Sequence, residues 1–143
     1  MQRPSVDARA SERCLLIVVG SPALGSALLR FLGRDYGSAE LAPTAELAER
    51  RLRELAGTPC DVVCDCDLGA QLGAGRRLLG RWLRADLVGG TAVLLGGSAE
   101  LEDRDAGFEH LADPLEPAEL QLALKRGREL DGPSSHRDVR RAS

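Results

Sequence analysis

The stretch Pro59-Cys60-Asp61-Val62-Val63-Cys64-Asp65-Cys66-Asp67-Leu68-Gly69 gathers three of the four cysteines and three aspartates into eleven residues. Its first half is apolar enough to be a short buried strand. Its second half breaks into acid and then glycine. In an open α/β sheet, chemistry sits just beyond the carboxyl ends of the parallel strands. Asp65 and Asp67 fall where such a strand would end. Carboxylates in that place can hold a cation or accept a transferred group, provided neighbouring residues offset the charge.

Other constellations compete with this pair. Strand alternation puts Cys60, Cys64 and Cys66 on one face. Structural zinc wants a close cysteine pair and a second pair elsewhere. Here Cys14 lies on a neighbouring strand and His110 on another, so the thiols read as small apolar core fillers and no metal is expected. Gly20-Ser21-Pro22-Ala23-Leu24-Gly25 follows a strand and opens a helix, with Glu40 about twenty residues on. That superficially meets a dinucleotide fingerprint. Yet Pro22 stands where a glycine should let the backbone approach a pyrophosphate, and proline has no N–H to offer. A turn into a tightly packed helix fits better, and no cofactor is expected. His110 reads as a partly covered surface residue and His136 as part of a tail. Neither has a serine or cysteine neighbour in a nucleophile motif, which argues against a hydrolase.

The elements that position these residues follow from periodicity. Cys14 to Val19 is a continuous apolar run stopped by Gly20-Ser21-Pro22, a buried strand and a turn. From Ala23 to Leu32, Leu24, Leu28, Phe31 and Leu32 fall at helical spacing, so a helix follows. After a loop from Gly33 to Gly37, Ser38 to Ala42 is a weak strand at the sheet edge. Thr44 caps a second helix, with Leu47, Leu52 and Leu55 inward. Cys60 to Cys66 is the third strand. Arg76 to Ala85 is a third helix, with Leu78, Leu79, Trp82 and Leu83 inward and its arginines outward. Thr91 to Leu95 and Phe108 to Ala112 are the fourth and fifth strands. Ser98 to Gly107 between them is acidic, with room for about two helical turns. Pro117 to Leu130 is the last helix, with Leu120, Ala123, Leu124 and Leu130 inward. Strands alternating with helices predict a doubly wound α/β fold with a parallel sheet.

Bulk properties agree. The 143 residues suit one domain, read as a flexible arm at 1–12, a domain at 13–130 and a polar tail at 131–143. A net charge of −3 and four aromatic residues argue against a nucleic-acid partner. No leader is visible in the polar first residues, and no apolar run could span a membrane. A cytoplasmic location and reduced thiols are therefore expected.

Three segments resemble the receiver domain of response regulators, over about residues 13–130. Leu16 to Leu24 resembles the family's first strand and helix start. Pro59 to Gly69 resembles its third strand, and Asp65 matches the phosphate-accepting aspartate. Leu111-Ala112-Asp113-Pro114-Leu115-Glu116-Pro117-Ala118-Glu119-Leu120 resembles the exit of the fifth strand, where the family has Lys-Pro. The resemblance implies a CheY-like sheet of five strands in the order 2-1-3-4-5, here with a shortened fourth helix. It also implies a degenerate pocket of Gly20, Ser21, Asp67, Gly96 and Asp113 around Asp65. The acidic pair that holds Mg²⁺ in the family is matched by Gly20 and Ser21, neither anionic. The hydroxyl residue after the fourth strand is matched by Gly96, with Ser98 as a distant substitute. The lysine is matched by Asp113, so a cation has become an anion. Phosphoryl transfer to a carboxylate brings negative charge to a negative group and depends on Mg²⁺ and that lysine.

These readings predict a pseudo-receiver, not an enzyme. It would act in signalling through another protein, with a homodimer through the fifth strand and last helix as a further expectation. No output domain is visible after residue 130, so output is expected through the partner. Two rivals stay open: a working single-domain phosphoacceptor at Asp65, and a small nucleotide-binding protein using Gly20 to Gly25.

Overall fold

The computed structural model describes residues 13–69, 72–97, 106–112 and 115–131. Five strands form one sheet: β1 (Cys14–Val18), β2 (Ser38–Leu41), β3 (Cys60–Asp65), β4 (Ala92–Leu95) and β5 (Glu109–Leu111). The order is β2-β1-β3-β4-β5, and every neighbouring pair is parallel. Four helices are described: α1 (Pro22–Leu32), α2 (Ala45–Glu54), α3 (Ala74–Arg84) and α4 (Pro117–Asp131). The expected fold class and strand order are those observed. The expected short helix between β4 and β5, the arm at 1–12 and all of the tail beyond residue 131 lie outside the described residues.

Each central strand is apolar on both faces because helices cover both. Cys14, Leu16, Val18, Cys60, Val62, Cys64, Ala92 and Leu94 pack under Ala48 and Leu52 of α2 and under Leu79 and Trp82 of α3. Leu15, Ile17, Val63, Val93 and Leu95 pack under Leu28 and Leu32 of α1 and under Leu120, Ala123 and Leu124 of α4. Continuous apolar strands are the signature of such two-sided burial. All four cysteines are buried in the first layer, with Cys66 just past the end of β3. Burial pushes the Cys60 and Cys64 thiols well above their ordinary range.

One inward assignment is corrected: Leu47 is 41% exposed, and Phe31 of the apolar pattern on α1 is likewise 36% exposed. A helix buries a stripe, not every apolar residue on it. On α1 that stripe runs through Leu28 and Leu32, leaving the adjacent Phe31 at its margin. On α2 it runs through Ala48 and Leu52, so the small Ala48 takes the inward place given to Leu47.

Candidate functional site

The β1–β3 register pairs Val18 with Cys64, and the β3–β4 register pairs Asp65 with Leu95. Leu95 in turn pairs with Leu111 of β5. The exits of β1, β3 and β4 therefore bring Gly20, Ser21, Asp65, Asp67 and Gly96 to one rim of the sheet. Asp113 and Ser98 lie outside the described residues.

The two aspartates at this rim serve the local backbone. Asp65 Oδ1 accepts the N–H of Asp67 at 3.1 Å, a side-chain turn that reverses the chain after β3. Asp67 Oδ1 accepts the N–H of Gly73 at 2.8 Å, where α3 begins. The first turn of α3 rests directly on β3. Gly75 donates its N–H to the Cys66 carbonyl at 2.8 Å, and a Cβ on Gly75 would overlap the Asp65 carbonyl oxygen. The neighbouring exits are similarly committed. Ser21 caps α1 by accepting the Leu24 N–H on its hydroxyl at 3.2 Å. Gly96 takes the left-handed conformation at φ +83°, donates its N–H to the Leu111 carbonyl, and its own carbonyl meets His110 Nε2 at 2.7 Å. The half-buried His110 thus closes the β4 exit against β5.

Mg²⁺ is bound through carboxylates, several waters and substrate phosphate oxygens. The described rim offers it only Asp65 and Asp67, each already accepting a backbone N–H. Gly20 has no side chain and Ser21 no charge. Among the described residues, no group of three or more His, Cys, Asp or Glu side chains could hold a metal ion. Among the described residues, this rim lacks the further carboxylate that the receiver resemblance implies for a divalent site.

The nucleotide fingerprint fares no better. Both oxygens of Glu40 are held by Arg51, at 2.7 and 2.6 Å, and this pairing holds the Glu40 carboxyl below its usual range. Gly25 faces the Leu41 side chain, whose Cδ2 would lie 3.3 Å from an added Cβ. The glycine makes room for helix packing.

One cluster escaped the sequence reading. Asp61, the second residue of β3, is fully buried and binds Arg13, Tyr36 and the Thr91 backbone at the opposite end of the sheet from Asp65. The available signal was a lone carboxylate inside an apolar strand, which cannot stay buried without donors.

A five-stranded parallel sheet in this order is the flavodoxin-like arrangement that CheY-type receiver domains share. Solved receiver domains have the same fold. The chain is similar to a response-regulator receiver domain protein from Clostridium thermocellum, at 16% identity and a TM-score of 0.67, over 82% of this chain and 94% of that one. It is similar to a CheY-like receiver domain protein from Methanospirillum hungatei, at 20% identity and a TM-score of 0.64, over 80% and 91%. It is also similar to the BeF3-activated N-terminal receiver domain of Klebsiella pneumoniae RstA, at 21% identity and a TM-score of 0.63, over 80% and 97%. No family model and no curated protein matches the chain. No helix among the described residues is long and apolar enough to cross a membrane.

Proposed function

We propose that this chain is a receiver-like signalling module that works by binding another protein, without Mg²⁺-dependent phosphorylation of Asp65 and without catalysis. The observation that carries this reading is the state of the rim. Asp65 and Asp67 hold the β3–α3 turn, and Gly20, Ser21 and Gly96 add no carboxylate to them. An incoming phosphoryl group would meet two anions, and Gly20 and Ser21 add no carboxylate that would recruit a cation to offset them. By the resemblance, Asp113 stands in the sequence where the family has a cationic lysine.

The partner is proposed to be a signalling protein met in the cytoplasm, not a nucleic acid. The contact surface proposed for it, and for a second copy of the chain, is β5 with the outer face of α4. Support comes from Leu122, which stands 55% exposed on α4, and from β5 being the last strand of the sheet. Arg126 and Glu109 form an exposed ion pair between the two elements at 2.9 Å.

The rival phosphoacceptor reading draws on the position of Asp65, half-buried at the end of β3, and on the BeF3-activated form of the RstA domain. Incubation with acetyl phosphate and Mg²⁺, followed by intact mass, separates the two. An unchanged mass is expected. A stoichiometric gain of about 80 Da, one phosphoryl group, that disappears in Asp65→Ala would favour the rival.

A further inference from the structure

Asp61 is 0% exposed. Its Oδ1 accepts from the Arg13 guanidinium at 2.5 Å and from the Thr91 N–H at 2.8 Å. Its Oδ2 accepts from the Tyr36 hydroxyl at 2.7 Å. Arg13 immediately precedes β1, Tyr36 stands two residues before β2, and Thr91 immediately precedes β4. One carboxylate on β3 therefore ties together the entrances of four strands.

The network continues into α4. The Arg128 guanidinium donates to the Tyr36 hydroxyl at 3.2 Å and lies 5.4 Å from the centre of its ring. Gly127 sits directly on Thr91, and a Cβ there would overlap the Thr91 hydroxyl. Two of the three groups bound by Asp61 are thus the seat of the end of α4. The earlier turns of that helix are held differently, by Leu120, Ala123 and Leu124 in the core. From Lys125 to Glu129 no residue is buried.

We infer that Asp61 and its donors form a latch for the C-terminal half of α4, which can detach while the sheet and the first half of the helix stay folded. Apolar burial anchors the first half and resists opening. Among the described side chains, the second half is held by the Arg128–Tyr36 hydrogen bond and cation–π contact, the exposed Arg126–Glu109 ion pair and the close approach of Gly127 to Thr91, each individually weak. Segments held in that way open below the free energy of global unfolding. The latch lies at the far end of the sheet from Asp65 and does not depend on how that rim is used.

Amide hydrogen exchange on the full chain tests the latch. In the parent protein, residues 125–131 should exchange faster than residues 119–124. Arg128→Gln leaves the Arg13–Asp61 pair and the Tyr36–Asp61 hydrogen bond in place, so the fold should survive. It should accelerate exchange over 125–131 by roughly three- to tenfold and leave β1, β3 and 119–124 within about twofold. Gly127→Ala raises helix propensity, so an intrinsic effect would slow exchange. The latch predicts acceleration instead, because the methyl lifts the helix off Thr91. Unchanged exchange over 125–131 in the variants, or uniform acceleration across the chain, would overturn the inference.

Discussion

Asp61 shows how much one residue can organise. A carboxylate without water needs donors on both oxygens, and Arg13, Tyr36 and Thr91 supply them. Burial first, and then the neighbouring Asp61 charge, hold the Tyr36 hydroxyl well above its usual range, so it remains a donor. Breaking a buried ion pair on one side is costly because the other charge stays behind. Arg13→Met should therefore lose about 3–5 kcal/mol in a urea unfolding experiment. The double variant Arg13→Met/Asp61→Leu should regain much of that loss, although the Tyr36 hydroxyl and Thr91 N–H keep part of it. Cys60-Asp61-Val62-Val63-Cys64 already announced a buried strand. The donors for Asp61 come from residues 48, 25 and 30 positions away, and such distances are invisible before the chain is folded.

Between elements, polar ties complement the two apolar layers. Glu49 of α2 accepts from the Trp82 indole N–H at 2.9 Å and from Arg81 at 2.7 Å, both on α3. Trp82 first, and then Arg81, hold the Glu49 carboxyl below its ordinary value of 4.5. A carboxyl depressed on folding stabilises the fold above its unfolded pKa, and the gain is lost as pH falls through the folded pKa. Glu49→Gln should lower stability near neutral pH and flatten the loss on acidification below about pH 4.5. Urea midpoints measured across that range would show it, and an unchanged slope would contradict the tie. The strands, the Thr44 cap and Leu120, Ala123 and Leu124 of α4 were legible because period and capping chemistry are local, while the Leu130 side chain lies outside the described residues. The phase of α1 and α2 was less so. Phe31 and Leu47 sit beside the buried stripe, and which edge of a helix faces the sheet is set by packing.

At the scale of the whole molecule, one fold presents two polar ends with different characters. The entrance end of the sheet is built around a buried ion pair. At the exit end, two aspartates hold the loop that leads into α3. The topology was legible because alternating apolar strands and helices leave few parallel arrangements, and the receiver resemblance picks one of them. The grouping of Gly20, Ser21, Asp65, Asp67 and Gly96 at one rim followed from that topology. Their hydrogen bonds did not, because a carboxylate facing a turn and one facing a metal have the same sequence. Fluorine NMR of the protein with Mg²⁺ and beryllofluoride addresses the central claim directly. The account predicts only the free fluoride species, with or without Mg²⁺. A Mg²⁺-dependent bound resonance, lost in Asp65→Ala, would contradict it.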